Sequence, residues 1–138
     1  MDQNPSIRYV LLEETHHIVD LETRFKAYIV WLILNSEAEK ALEILAEHHE
    51  VEKPKLTVGL PKRHKTNVLG CYSARDKTIS VLNSDMLRNP SIIIHEFYHH
   101  LRIDLNHKHR GNERNAREFA QDYIDAYKAL TNPKQDNS

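Results

Sequence analysis

Residues 89–100 read NPSIIIHEFYHH, and this stretch decides the fold of the chain. Asn89 is a residue type that caps helices, and Pro90 takes the first helical position, where a missing N–H is tolerated. Apolar residues then recur at helical spacing, which predicts a helix from Pro90 to about Leu105. The HExxH motif at 95–99 lies inside this helix.

The HExxH motif places two imidazoles and a carboxylate at one point of the helix. His95 and His99 are four residues apart and share a face, so both can bind one metal ion. Zinc lowers the pKa of a water molecule that it binds, and Glu96 is placed to accept the proton. The motif predicts one zinc ion per chain, with His95 and His99 as ligands and Glu96 as the catalytic base.

A catalytic zinc site usually has a third protein ligand, and a second helix predicted over 113–130 offers two glutamates. Glu113 opens this helix, and alanines three and seven residues on keep its face small enough for the HExxH helix to approach. Glu118 lies about 140° around the helix axis from Glu113, so the two cannot both face the metal. Glu113 is the expected ligand. Glu118, followed by Asp122, is the alternative.

The rest of the chain predicts helices first and then a small sheet. Helical periodicity covers residues 17–49, and Ser36 followed by Glu39 has the form of a capping box that would start a second helix. Three runs have strand character: residues 56–60, 68–73 and 78–82. A polar link at 74–77 suits a hairpin between the last two of these strands. We therefore expect an α+β fold with N-terminal helices, a mostly antiparallel sheet of about three strands, the HExxH helix and a glutamate helix.

A length of 138 residues fits one domain. Within it we expect a helical part at 1–53, the sheet and metal-site helices at 54–130, and a polar tail at 131–138. Cys71 is the single cysteine of the sequence, which excludes an intramolecular disulfide and a zinc site built from several thiolates.

Charge and hydropathy argue against two classes of partner. The 19 basic and 20 acidic side chains leave a formal net charge of -1, which favours neither nucleic acid nor an anionic membrane surface. The longest apolar run, at 28–34, has seven residues, whereas a membrane-spanning helix needs about 20. The first 20 residues lack the basic and apolar regions of a secretory signal, so a cytoplasmic location is expected.

The HExxH motif followed by Glu113-Arg114-Asn115-Ala116 on a second helix resembles the gluzincin metallopeptidases, whose pattern is HExxH and then ExxA. The sequence is most similar to small gluzincins of the minigluzincin type and to ImmA/IrrE-like proteins. The resemblance covers roughly 67–123. It implies zinc ligation by His95, His99 and Glu113 and general base and acid catalysis by Glu96. Arg117 stands where membrane-embedded relatives often carry aspartate.

The resemblance also implies a peptide or protein substrate, because gluzincins bind an extended peptide antiparallel to an edge strand. Residues 68–73 are the candidate strand. Hydrolysis needs a donor for the developing oxyanion, and His107, His109 and Tyr72 are candidates by type and position. The sequence does not choose among these three.

Two other residues near the motif have alternative interpretations. His100 points about 100° away from His99 around the helix, which favours a surface or supporting position over ligation. Cys71 can either pack as a small apolar residue or reach the metal and keep an enzyme latent.

Two functions follow from these patterns. The first is a zinc endopeptidase, which would be latent if the tail at 131–138 or the segment at 1–20 occupied its cleft. The second is a regulatory zinc-binding protein that cuts one partner or none. Glu96 favours the first, because a purely structural zinc site has no use for a base.

Overall fold

Four α-helices and a three-stranded sheet make up the part of the computed structural model that is described, which comprises residues 20–62, 68–105 and 112–132. The elements are α1 (Leu21–Leu34), α2 (Ala38–His49), β1 (Lys55–Val58), β2 (Gly70–Ser73), β3 (Thr78–Val81), a 3-10 helix (Ser84–Arg88), α3 (Pro90–Leu105) and α4 (Glu113–Thr131). Helices flank a small sheet, so the α+β class is confirmed. The predicted tail beyond Asn132 and the segment before Asp20 lie outside the described residues.

The sheet has the strand order β1–β3–β2. β2 and β3 form the expected antiparallel hairpin, whereas β1 pairs with β3 in parallel, with Leu56 opposite Ile79. The sheet is therefore mixed and not mostly antiparallel. Alternation within one strand carries no information about the direction of its neighbour. β3 is the central strand, and β2 lies at an edge of the described sheet.

The turn between α1 and α2 differs from the expected capping box. Ser36 has a positive φ of 66°, and its N–H donates to the carbonyl of Ile33. The N–H of Glu37 donates to the carbonyl of Leu32. This double hydrogen bond is a Schellman motif, so Ser36 terminates α1 and does not cap α2. The N-cap of α2 is Glu37, which makes no side-chain capping bond.

The other α-helices begin at side-chain caps, and the cap predicted at Asn89 is confirmed. Asn89 accepts a hydrogen bond from the N–H of Ile92 at the start of α3, and Asn112 accepts one from the N–H of Asn115 at the start of α4. Asp20 caps α1 in the same way, so this helix begins at Leu21. Side-chain oxygens thus satisfy backbone donors that have no partner inside the helix.

The apolar core lies where α3 packs against α4 on one side and against the sheet on the other. α1 covers α4 and extends the same core. The fully buried side chains of this core include Ile29, Ile33, Leu42, Leu45, Ile79, Val81, Ile93, Ile94 and Phe97. The HExxH helix is therefore held on several sides. Within the described ranges, no helix is both long enough and apolar enough to cross a membrane.

Gly70 marks the closest approach of the sheet to α3. A Cβ atom at this position would lie 2.6 Å from Cγ2 of Ile92 and 3.4 Å from the backbone oxygen of Ser80. The first distance is too short for two carbon atoms, whereas the second is at the lower limit of ordinary van der Waals contact. Glycine lets β2 cross α3 beside Glu96, whose Cγ would be 3.7 Å from that Cβ.

We expect Gly70→Ala to lower the free energy of unfolding by about 1–3 kcal/mol, because the added methyl group meets Ile92. Urea denaturation of the metal-free protein measures this loss. In an Ile92→Ala background the clashing atom is gone, and the cost of Gly70→Ala should shrink. An equal cost in both backgrounds would show that the contact with Ile92 is not its cause.

Candidate metal centre

Three side chains from α3 and α4 converge at the interface of the two helices. Nε2 of His95 lies 2.7 Å from Oε1 of Glu113, and Nε2 of His99 lies 3.2 Å from Oε2 of the same carboxylate. The donor atoms of these residues all lie within 4.8 Å of one another. Each carboxylate oxygen faces a different imidazole, so the three groups surround a common point.

The local sequence explains how the two helices bring these groups together. His95 and His99 lie one turn apart on α3, and their ring centroids are 5.1 Å apart. On α4, Ala116 and Ala120 are buried against the rest of the protein, and such small side chains permit close helix packing. Glu113 lies on the turn before Ala116 and reaches across to both imidazoles.

The donor set fits a zinc ion. Two imidazole nitrogens and one carboxylate oxygen are a common set of protein ligands at catalytic zinc sites, with the fourth position left for water or substrate. The histidine side chains are 16% and 13% exposed, whereas that of Glu113 is 68% exposed. The group is therefore open to solvent on the side of the carboxylate.

The electrostatics of His95 favour metal binding. Burial lowers the pKa of its imidazole below the ordinary value, although the hydrogen bond to Glu113 acts in the opposite direction. A neutral imidazole keeps a lone pair that a metal ion can accept.

Glu96 lies in the wall of the same site and is only 8% exposed. Burial, followed by the negative charge of Glu113, raises the pKa of its carboxyl group to about 7. A cation at the three ligands would lower this pKa again, because it stabilises the ionised form. A carboxylate that titrates near neutral pH can both accept and return a proton.

A cleft of about 910 Å³ lies beside Glu96, His99 and Glu113, and every residue of β2 lines it. On the other side of Glu113 a pocket of about 600 Å³ extends toward the start of α3 and contains His95 and Arg117. Glu96 and Glu113 line both cavities. The candidate metal centre thus lies between two adjoining cavities.

His100 is fully buried and connects three parts of the fold. Its Nε2 donates to the backbone carbonyl of Glu52 at 2.7 Å, because a carbonyl oxygen can only accept. In the neutral ring Nδ1 must then be the acceptor, and the hydroxyl of Tyr72 donates to it at 2.7 Å. His100 has the supporting position that was expected and not the surface position.

This hydrogen bond bears on the search for an oxyanion donor. The hydroxyl proton of Tyr72 is directed at His100, so Tyr72 cannot offer it to a substrate at the same time. The other candidates, His107 and His109, lie outside the described residues. Nothing in the local sequence indicated the contact, because Tyr72 and His100 are 28 residues apart.

Two further residues from the sequence analysis lie outside the group of ligand atoms. Glu118 accepts a hydrogen bond from Nε of Arg114 at 3.4 Å, and both side chains are exposed. Cys71 lines the cleft, where burial and then the charge of Glu96 raise the pKa of its thiol. Within the described residues, the group that could hold a metal consists of His95, His99 and Glu113.

Comparisons of the chain with protein-family models, with curated proteins and with solved structures gave no significant match. The resemblance to gluzincins accordingly stays a prediction. The function proposed below rests on the geometry of the site.

We expect Glu113→Ala to weaken zinc binding by more than about 100-fold, because it removes one of three protein ligands. Glu118→Ala is the matched control on the same helix and should leave the affinity nearly unchanged. Competition against a chromophoric chelator measures both. The opposite ranking of the two variants would identify Glu118 as the ligand.

Tyr72→Phe should lower the free energy of unfolding by about 1–3 kcal/mol, because it leaves Nδ1 of the buried His100 without its donor. Tyr98→Phe is the control, since the Tyr98 hydroxyl makes no hydrogen bond among the described residues. Chemical denaturation compares the two variants. Equal losses would argue that the bond to His100 contributes nothing to stability.

Proposed function

We propose that this protein is a zinc-dependent metallopeptidase that hydrolyses peptide bonds within polypeptides. One observation carries the proposal: the carboxylate of Glu113 meets the imidazoles of both His95 and His99, and the buried carboxylate of Glu96 lies in the same cleft. Three ligands with a base beside them are what metal-assisted hydrolysis requires.

The metal ligands and the base have separate roles in the proposed reaction. His95, His99 and Glu113 would hold one zinc ion, which supplies Lewis-acid chemistry when bound. Glu96 accepts a proton from the attacking water and then returns it to the nitrogen of the leaving amine. Its buried position, with a pKa near 7, suits both transfers. The largely buried imidazoles keep the ligand atoms oriented toward the cleft.

The position of β2 supports a peptide substrate. In the described sheet β2 pairs only with β3, so its other edge has backbone groups that an extended peptide can bind. The cleft runs along this strand and reaches Glu96 and Glu113. Backbone pairing fixes the peptide beside the metal centre without demanding a particular side chain at each position.

The exposure of Glu113 favours catalysis over a purely structural role. A structural zinc site is closed by four protein ligands, whereas the described residues supply three, and one of them faces solvent. A regulatory protein that binds zinc and cuts nothing is the competing function. Glu96 distinguishes these two functions, because a protein that only binds zinc has no need for a residue that transfers protons.

We expect Glu96→Gln to keep the zinc ion but to slow peptide cleavage by at least about 100-fold, because the amide cannot accept a proton. Zinc content by atomic absorption and release of fluorescent fragments from labelled, unfolded casein measure the two properties. Glu118→Gln provides the control, since Glu118 lies outside the ligand group. Unchanged cleavage by Glu96→Gln would rule out Glu96 as the base.

A zinc-loaded parent protein that cuts no unfolded protein or peptide would instead favour the regulatory function. This outcome would leave the assignment of the metal ligands unchanged and would refute the proposed peptidase activity.

A further inference from the structure

Arg117 lies beside the candidate metal centre but belongs to none of the interactions described above. It follows Glu113 by one helical turn on α4, which places both side chains on the same face. Its side chain lines the pocket of about 600 Å³ that also contains His95, Glu96 and Glu113. Arg117 therefore presents a positive charge to this pocket.

The residues that would usually neutralise this charge are otherwise occupied. Glu113, four residues before Arg117, directs its carboxylate to two imidazoles. Gln121, four residues after it, is uncharged, and its amide nitrogen donates to Asp125 at 2.8 Å. Within the described ranges Arg117 makes no hydrogen bond or ion pair.

The walls around Arg117 add no anion beyond the two carboxylates of the candidate metal centre. Leu69, Ser91 and Ile92 also line the pocket, and none of them is charged. The acidic side chains of the lining are Glu96 and Glu113, and both belong to the candidate metal centre. A guanidinium in such a pocket is free to bind a carboxylate through two parallel hydrogen bonds.

The direction of β2 indicates which part of a substrate would reach this pocket. Antiparallel pairing is slightly more stable per residue than parallel pairing, and a peptide that pairs in this way with β2 runs from beside Ser73 toward Gly70. The pocket adjoins Gly70 and Leu69, at the start of the strand, whereas the larger cleft extends to Ala74 and Arg75 at its end. The C-terminal portion of the peptide would therefore approach Arg117.

We propose that Arg117 makes this pocket a carboxylate-binding subsite, selecting substrates with an acidic group on the C-terminal side of the cleaved bond. The inference rests on the proposed peptidase function and adds a substrate class to it. The carboxylate can come from an aspartate or glutamate side chain or from the C-terminus of the peptide. Arg117 acts here on specificity and not on the proton transfers.

Binding to a non-cleaving protein tests the proposal. The Glu96→Gln protein, loaded with zinc, is titrated into three fluorescein-labelled octapeptides at about 0.15 M salt, where long-range charge effects are screened. One peptide alternates alanine and glutamate with an amidated C-terminus. The second replaces each glutamate by glutamine, and the third is this glutamine peptide with a free C-terminal carboxylate. Fluorescence anisotropy gives the Kd for each.

We expect at least one carboxylate-bearing peptide to bind about tenfold more tightly than the neutral peptide, and Arg117→Gln to abolish this preference. Arg114→Gln is the matched control, because Arg114 lies on the same helix, is exposed and pairs with Glu118. The control should retain the preference. The glutamate peptide and the free-carboxylate peptide identify which source of carboxylate the pocket takes.

Three results would overturn the proposal: no preference for a carboxylate in the Glu96→Gln protein, a preference that survives Arg117→Gln, or an equal loss in Arg114→Gln. The peptidase function is tested separately by cleavage with the parent protein. An Arg117-dependent preference without any cleavage would keep the subsite and reject the enzyme. Cleavage without the preference would support the peptidase function and reject the subsite.

Discussion

The carboxylate of Glu113 spans the interface between α3 and α4 and contacts an imidazole with each of its oxygens. This contact requires three conditions at once. The two histidines must lie one turn apart on α3, α4 must begin beside them, and the helices must pack closely. Buried alanines on α4 meet the last condition, because larger side chains there would push Glu113 away from His95 and His99.

Two carboxylates meet at this point, which favours a cation. Glu96 is largely buried, and the charge of Glu113 adds to burial in raising its pKa. Like charges in a partly dry site oppose each other, and a divalent ion between the ligands would relieve that opposition. The chemistry of the donor set and the electrostatics of Glu96 thus point to the same occupant.

A neighbouring face of α3 fixes the position of one wall of the cleft. His99 faces the metal centre, whereas its neighbour His100 is buried between Tyr72 of β2 and the backbone of Glu52. Gly70 allows β2 to lie directly against α3. The strand that forms one wall of the cleft is therefore fixed to the helix that carries the ligands, which preserves the spacing between a bound peptide and Glu96.

Local patterns in the sequence predicted what depends on one element alone. The bounds of α3, the start of α4 at Glu113 and the β2–β3 hairpin follow from caps, periodicity and turn residues, and the structure has them. Contacts between distant segments left no such pattern. The parallel pairing of β1 and the bond between Tyr72 and His100 depend on tertiary packing. Ser36 was misassigned because a residue that terminates one helix can look like the cap of the next.

Crystals of the zinc-loaded protein, with anomalous data collected on both sides of the zinc absorption edge, test the metal centre most directly. We expect one zinc peak per chain, with Nε2 of His95, Nε2 of His99 and a carboxylate oxygen of Glu113 at about 2.0–2.2 Å. A zinc ion bound elsewhere, or no ion between these three residues, would contradict the account.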